Sequence, residues 1–424
     1  MPEYSLPYGK STITFCLPDN YKTDMLEPSP YPKLLDLEQA LQFRLDNPIT
    51  KPKLSTFPRT SKIAITINDK TRSVPNGVLL PPLLDNLKKL GFSKQNISFF
   101  IASGTHTPMP KEEHRLLLPQ VLLDNYKVIA HDCDNSPMNE MGFTQLGTPI
   151  EINAKFVEAD IKIVSGNIEP HHFMGYSGGA KSAVIGLASR KTISWNHAMI
   201  TDPNAKSGLY ETNPMRQDLE EISSRIQNMY AYNTVLNQQK EIVEVLFGDP
   251  IVVIMKAIPL VRKIYSVGIK QFYDLVLVSP GGHPKDINLY QSQKAITHAA
   301  SVTKEGGWVI LLAACPEGSG SQEYEEYIQS KASHQTVLDE FQSETFRVGP
   351  HKAFQIARDA VRVNILIVSE IPEVKLKEFH LKSCKPDQIN ACLTNILDAL
   401  PDETKIAIMP MGTTTMAHLK TKEN

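Results

Sequence analysis

The chain has 424 residues, 41% hydrophobic and 21% charged, enough apolar mass for two or three folded domains and too much for a disordered chain. Lys and Arg total 44 against 46 Asp and Glu, and this near-neutral balance removes the electrostatic case for nucleic acid or an anionic membrane as partner. Five scattered cysteines without CxxC spacing exclude a disulfide framework. No apolar run nears the roughly 20 residues of a membrane span, and the N-terminus lacks the order of a secretory signal, so a cytoplasmic protein is expected.

Taken in chain order, short β-rich runs alternate with amphipathic stretches, which predicts α/β layering. Strands are expected at 11–15, 63–67, 97–101, 127–130 and 161–164, then at 275–278, 308–313, 364–368 and 405–409. Helices are expected at 79–90, 111–125, 213–227, 251–266, 291–304 and 334–342. The segments 141–153 and 235–247 read as strand–turn–strand, so the first half is not a plain doubly wound sheet. Most prolines read as loop punctuation, Pro81–Pro82 among them. A fresh strand–loop–helix series begins near residue 270. The expected domains are therefore 1–270, with 405–424 as a candidate completion of it, and 271–404.

Of five polar clusters, all but the fourth follow strand ends, where open α/β sheets bind ligands. The first, residues 68–75, offers Asp69 and the planar fork of Arg72, suited to a carboxylate or phosphate; a solvated loop with a local ion pair is the plainer reading. The second is Ser103-Gly104-Thr105-His106. Histidine as a residue type has a free pKa of ~6.5, near working pH, so this one reads either as an acid–base group or as a helix-capping or core residue. The third and most informative runs from Gly166 to Ser182 and holds His171, His172, Ser177, Gly178, Gly179 and Lys181. Small residues before a helix let backbone N–H groups approach an anion. It is not a nucleotide P-loop, because Ala180 stands at the second glycine and the preceding strand ends too early. The fourth is Trp195-Asn196-His197. The fifth runs from Ser279 to Lys294, with Gln291 and Lys294 spaced to face one ligand from a helix. Polar groups at strand ends in both halves point to a site in the cleft between two domains.

Asp69-x-x-Arg72, Gly104-Thr105-His106, Glu169-Pro170-His171, Gly175-Tyr176-Ser177-Gly178-Gly179-x-Lys181, His197 and Asn288-Leu289-Tyr290-Gln291-x-x-Lys294 together resemble the nickel-pincer-nucleotide-dependent lactate racemase family. The order and spacing agree from about residue 60 to 360. The resemblance implies two α/β domains with parallel or mixed sheets, and a nicotinic-acid-derived mononucleotide with two sulfur arms and a carbon–nickel bond. Lys181 then corresponds to the cofactor-holding lysine, His197 to the protein ligand of nickel, and His106 and His171 to the two acid–base residues. Arg72, Gln291 and Lys294 correspond to substrate contacts. Asp69, Ser177, Gly178, Gly179 and Tyr290 fall on cofactor contacts, with Asp69 alternatively orienting Arg72. Proteins that build the cofactor or insert nickel are the implied partners, beside a small 2-hydroxy acid substrate.

The chemistry makes sense of these residue types. Inverting C2 of a 2-hydroxy acid requires removing a C–H hydrogen that is a poor proton. Taking it as hydride, while a base takes the hydroxyl proton, gives a flat keto acid that accepts hydride on either face. Thr107 and Phe354 depart from lactate-specific relatives, Phe354 standing where an aromatic such as Trp lines the substrate pocket. The expectation is therefore the 2-hydroxy acid class and not lactate in particular. Two other readings stay open: a zinc hydrolase using His106, His131, His171 or His172, and a carrier that stores the nickel nucleotide without catalysis.

Overall fold

Runs rich in Ile, Phe and Ala such as Ile63–Asn68 and Ile97–Ala102 are apolar on both faces, as strands covered by helices on either side must be. A computed structural model describes residues 1–71, 74–341, 346–347 and 349–420. It divides into two α/β units, residues 30–264 and residues 1–29 together with 265–424.

The unit 30–264 is built on a six-stranded mixed sheet. Its strands lie in the order Ile242–Gly248, Met229–Leu236, Ile161–Asn167, Ile63–Asn68, Ile97–Ala102 and Lys127–Ala130. All neighbours run parallel except the first pair, a hairpin. Helix Asn76–Lys89 buries Leu79, Leu80, Leu83, Leu84 and Leu87 against this sheet. Pro81 and Pro82 lie inside that helix, contrary to the loop reading; neither is buried, so their rings face away from the leucine stripe. The expected helix 111–125 is broken at Pro119 into a 3₁₀ stretch, Lys111–Leu116, and a short helix, Gln120–Asn125. Residues 138–153 form the antiparallel pair Met138–Phe143 and Pro149–Asn153.

The second unit carries a six-stranded parallel sheet, Lys382–Cys384, Asn364–Val368, Thr303–Leu312, Tyr273–Val278, Lys405–Met409 and Lys22–Met25. This corrects two sequence expectations. Residues 405–409 pair with Tyr273–Val278 and not with the first sheet. The first 29 residues also belong here: Lys22–Met25 forms the edge beside Lys405–Met409, and the hairpin Glu3–Tyr8/Ser11–Cys16 packs Leu6 and Phe15 among Leu275, Ile310 and Ile408. These pairings join residues almost 400 positions apart, and local periodicity carries no trace of them. Several helices were not anticipated, among them Leu37–Asp46, Gln322–Gln329, Pro350–Ala360 and Ile389–Leu397.

Candidate active site

Four of the five clusters belong to the unit 30–264. Strands Ile63–Asn68 and Ile97–Ala102 are parallel neighbours with Asn68 opposite Ala102, so the loops that follow emerge side by side. Asp69, 5% exposed, heads the first loop, and its Oδ1 accepts from the backbone N–H and hydroxyl of Thr71 at 3.0 and 2.6 Å. In the second, Gly104 takes a positive φ of 56° and the His106 N–H returns to the Ser103 carbonyl. That turn brings His106 Nδ1 to 2.6 Å from Asp69 Oδ2. The sequence reading gave Asp69 to the cofactor or to Arg72 and missed this pair, although adjacent strand ends were its signal. Arg72 lies outside the described residues.

The third cluster folds as a miniature hairpin, with Pro170–His171 pairing Gly175–Tyr176. His171 is buried, and its Nδ1 accepts the Met174 N–H at 3.3 Å. Phe173 sits among three imidazoles, its ring centroid 4.6 Å from His171, 4.4 Å from His172 and 5.3 Å from His197. His197 occupies the last turn of helix Arg190–Ala198 and is half-buried. One acid–base candidate and the metal-ligand candidate are thus linked through a single phenyl ring.

The glycine turn behaves differently from the expectation of an open anion cradle. The Ser177 N–H donates to Glu169 O, the Gly179 N–H to Asn233 Oδ1 at 2.7 Å, and the Lys181 N–H to Gly178 O. Ser177 Oγ donates to Asn167 O and accepts from Glu169 N. The glycines are required by space: both have positive φ, and a Cβ on Gly178 would lie 2.4 Å from Ile168 Cγ1. The loop is a rigid mount for Lys181, which is half-buried and opens the single turn Lys181–Val184. Ser182, beside it, accepts a hydrogen bond from Asn68 Nδ2 at 3.1 Å, tying this turn to the end of the central strand.

The fifth cluster lies in the second unit. Asn288 caps helix Leu289–Ala300 by accepting from the Gln291 N–H. Gln291 Oε1 accepts from Lys294 Nζ at 2.7 Å, so the two side chains form one polar patch. Lys352 Nζ stands 4.6 Å from the Tyr290 ring centroid. Phe354 is buried and stacks on Phe341 at 4.7 Å.

A zinc hydrolase would need three ligands converging from these histidines. Among the described residues the only group of three close enough to hold an ion is Asp132, Cys133 and Asp134, with no histidine. His131 uses Nε2 on Ala188 O and Nδ1 on Asn153 Nδ2, a fully engaged structural role. No helix among the described residues is long and apolar enough to cross a membrane.

The sequence pattern of the lactate racemase N-terminal domain matches residues 8–208, and that of the lactate racemase C-terminal domain matches residues 269–417. The chain belongs to the lactate racemase family. It is an isomerase of the racemase type. The lactate racemase of Thermoanaerobacterium thermosaccharolyticum is 30% identical, covering 99% of this chain and 100% of that protein. The lactate racemase of Lactiplantibacillus plantarum is also 30% identical, covering 97% and 99%. The lactate racemase apoprotein structure from T. thermosaccharolyticum superposes with a TM-score of 0.90 at 29% identity, covering 98% of this chain and 100% of that one. A Thermotoga maritima protein shares the fold with a TM-score of 0.69 at 17% identity, covering 92% and 100%.

Proposed function

We propose that this lactate racemase family member inverts C2 of a 2-hydroxy acid, with a nickel-pincer nucleotide as cofactor and His106 and His171 handling the hydroxyl proton. The observation that carries the reading is the 2.6 Å bond between His106 Nδ1 and Asp69 Oδ2. A carboxylate that accepts from Nδ1–H leaves the lone pair on Nε2, ready to take a proton. His171 has the opposite arrangement: its Nδ1 accepts a backbone N–H, so a neutral ring carries its proton on Nε2. One ring with a lone pair on Nε2 and one with a proton there is what an inversion through a planar keto acid asks of its two faces. Arg72, Gln291 and Lys294 are proposed as polar substrate contacts.

The residues present fit the cofactor. Three buried oxygens at the carboxyl ends of the first sheet have no hydrogen-bond partner among the described residues: Ser103 Oγ, Asn167 Oδ1 and Thr234 Oγ1. A polar ligand such as a sugar phosphate would satisfy them. Gly166 leaves room there for a methyl-sized group, ringed by Asn233 Nδ2, Ser182 Oγ and Asn68 Oδ1 within 3.5–3.8 Å. Lys181 would anchor the nucleotide through its amine and His197 would hold the nickel, imidazole being a suitable donor for Ni²⁺. When bound, the group supplies an electron-poor centre that takes the C2 hydrogen with its bonding pair and returns it. Proteins that make the nucleotide or insert nickel are the proposed partners.

The test is racemisation in heavy water by cofactor-loaded protein, starting from one enantiomer of lactate and of other 2-hydroxy acids. Optical purity is expected to fall with almost no deuterium entering at C2. Lys181→Ala is expected to abolish a cofactor mass increment, and His197→Ala to lose nickel. Stoichiometric deuterium at C2 would replace this reading with a carbanion mechanism. Retention of nickel nucleotide with no turnover of any 2-hydroxy acid would make the protein a carrier.

A further inference from the structure

The unit 30–264 contains a fully buried arginine that the reaction does not use. Arg216 is 0% exposed and forms an i,i+4 pair with Glu220, its Nε 2.7 Å from Oε1. The Tyr210 hydroxyl donates to the same carboxylate oxygen, and the Tyr210 ring lies 5.6 Å from the guanidinium. Burying an ion pair rarely adds net stability over an apolar pair of similar volume, which turns attention to what the pair holds in place. Its remaining donors point at backbone. Nη1 donates to Tyr176 O at 3.2 Å and to Gly178 O at 3.3 Å, and Nη2 also reaches Gly178 O.

Those two carbonyls are strategic. Tyr176 closes the small hairpin in which Pro170 pairs Tyr176 and His171 pairs Gly175. Gly178 O also accepts the Lys181 N–H, so one oxygen joins the guanidinium to the first residue of the lysine's turn. The helix that carries Arg216, Pro214–Ser224, is fixed to the same segment at its start: Asn213 caps it and donates to Phe173 O at 2.8 Å. Gly179 is matched to the guanidinium, because a Cβ there would lie 2.7 Å from Nη2.

We infer that Arg216 is a positioning residue that sets His171 and Lys181 in one frame, its planar fork holding the Tyr176 and Gly178 carbonyls. The inference rests on the roles proposed above for those two residues. A lysine at 216 keeps a charge opposite Glu220, but its single Nζ cannot hold the Glu220 carboxylate and both carbonyls as the separate guanidinium nitrogens do.

The test compares Arg216→Lys, the charge-free double variant Arg216→Met/Glu220→Leu, and a control on the exposed neighbouring pair, Arg225→Met/Glu221→Leu. In the full chain without cofactor, Lys181 is labelled with an amine-reactive ester and quantified by peptide mapping. With the frame loosened, the half-buried Lys181 is expected to label about fivefold faster or more, while the exposed Lys191 labels at the parental rate. In loaded protein kcat is expected to fall about 10–100-fold, the scale of a displaced reactive group, with KM within about threefold. Parental Lys181 labelling and turnover in Arg216→Lys, or equal effects in the control pair, would overturn the inference. If the double variant does not fold, Arg216→Lys decides alone. Should His171→Ala and Lys181→Ala leave turnover intact, the proposed function falls; should they abolish it while Arg216→Lys is parental, only the positioning role falls.

Discussion

At the scale of the residue, Asp69 and His106 form one hydrogen-bonded pair. The carboxylate is buried and already accepts two hydrogen bonds from Thr71, so it is held in place before it meets the imidazole. Asp69→Asn should therefore cut turnover through His106, and His106→Ala should cut it by the ~10²–10⁴ of a lost general base. The double variant is expected to be no slower than His106→Ala alone; steady-state kinetics of the three variants checks this, and additive losses would separate the two residues. His298 offers a second residue-scale prediction. It donates from Nδ1 to Gly412 O at 2.7 Å, and Nε2 is buried with no hydrogen-bond partner among the described residues. Burial chiefly, with Lys285 adding to it, pushes its pKa from the usual 6.5 down to about 4. Between these values the unfolded chain binds the proton and the folded one does not. Stability from this site is therefore complete above about pH 6.5 and is lost as pH falls toward 4. His334 is lowered into the same window, so His298→Gln should flatten the acid slope of the melting temperature without abolishing it.

At the scale of the element, the hairpin and loop from Pro170 to Lys181 depend on glycine where the chain runs against its neighbours. Gly175 has φ 74°, and a Cβ there would fall 1.7 Å from the Leu209 carbonyl oxygen. Gly306 has nearly the same φ, 73°, yet nothing lies within 4 Å of its would-be Cβ. Gly306→Ala should lose only the ~1–2 kcal/mol of a left-handed backbone and keep turnover. Gly175→Ala must also displace the 209 carbonyl, and is expected to melt lower still and to lose turnover. Thermal melts and kinetics of the pair separate backbone strain from close approach; equal melting points would show that the hairpin yields.

At the scale of the whole molecule, the first 29 residues complete the second unit. Lys22–Met25 covers the edge of Lys405–Met409, Tyr273 Oη donates to Asp24 Oδ2 at 2.9 Å, and Asp286 Oδ2 accepts the Gly9 N–H at 2.6 Å. Leu6, Phe15 and Leu17 are fully buried in the core of that unit. A chain beginning at residue 30 should leave the 405–409 strand as an open edge and uncover this apolar surface. Limited proteolysis of that truncation is expected to cut within 265–424 while 30–264 stays protected. A protease-resistant second unit would show that the hairpin and edge strand are dispensable.

Legible in the sequence alone were the α/β class, most strands of both sheets, and the placing of Asp69, His106 and His171 just after strands and of Lys181, Gln291 and Lys294 on the helical segments beyond. These rest on local patterns, namely apolar runs of strand length and polar residues directly after them, which need no knowledge of distant partners. The sequence could not determine that residues 1–29 and 405–409 share a sheet, that Asp69 turns to His106, or that Arg216 reaches back to the 176 and 178 carbonyls. Each of these joins segments separated by 37 residues or more, and only the tertiary structure brings them within bonding distance. The glycine turn shows the same division. Its small residues were legible as a place of close approach, but what approaches is Ile168, Asn233 and Arg216, and the N–H groups of Ser177, Gly179 and Lys181 bond to the chain itself.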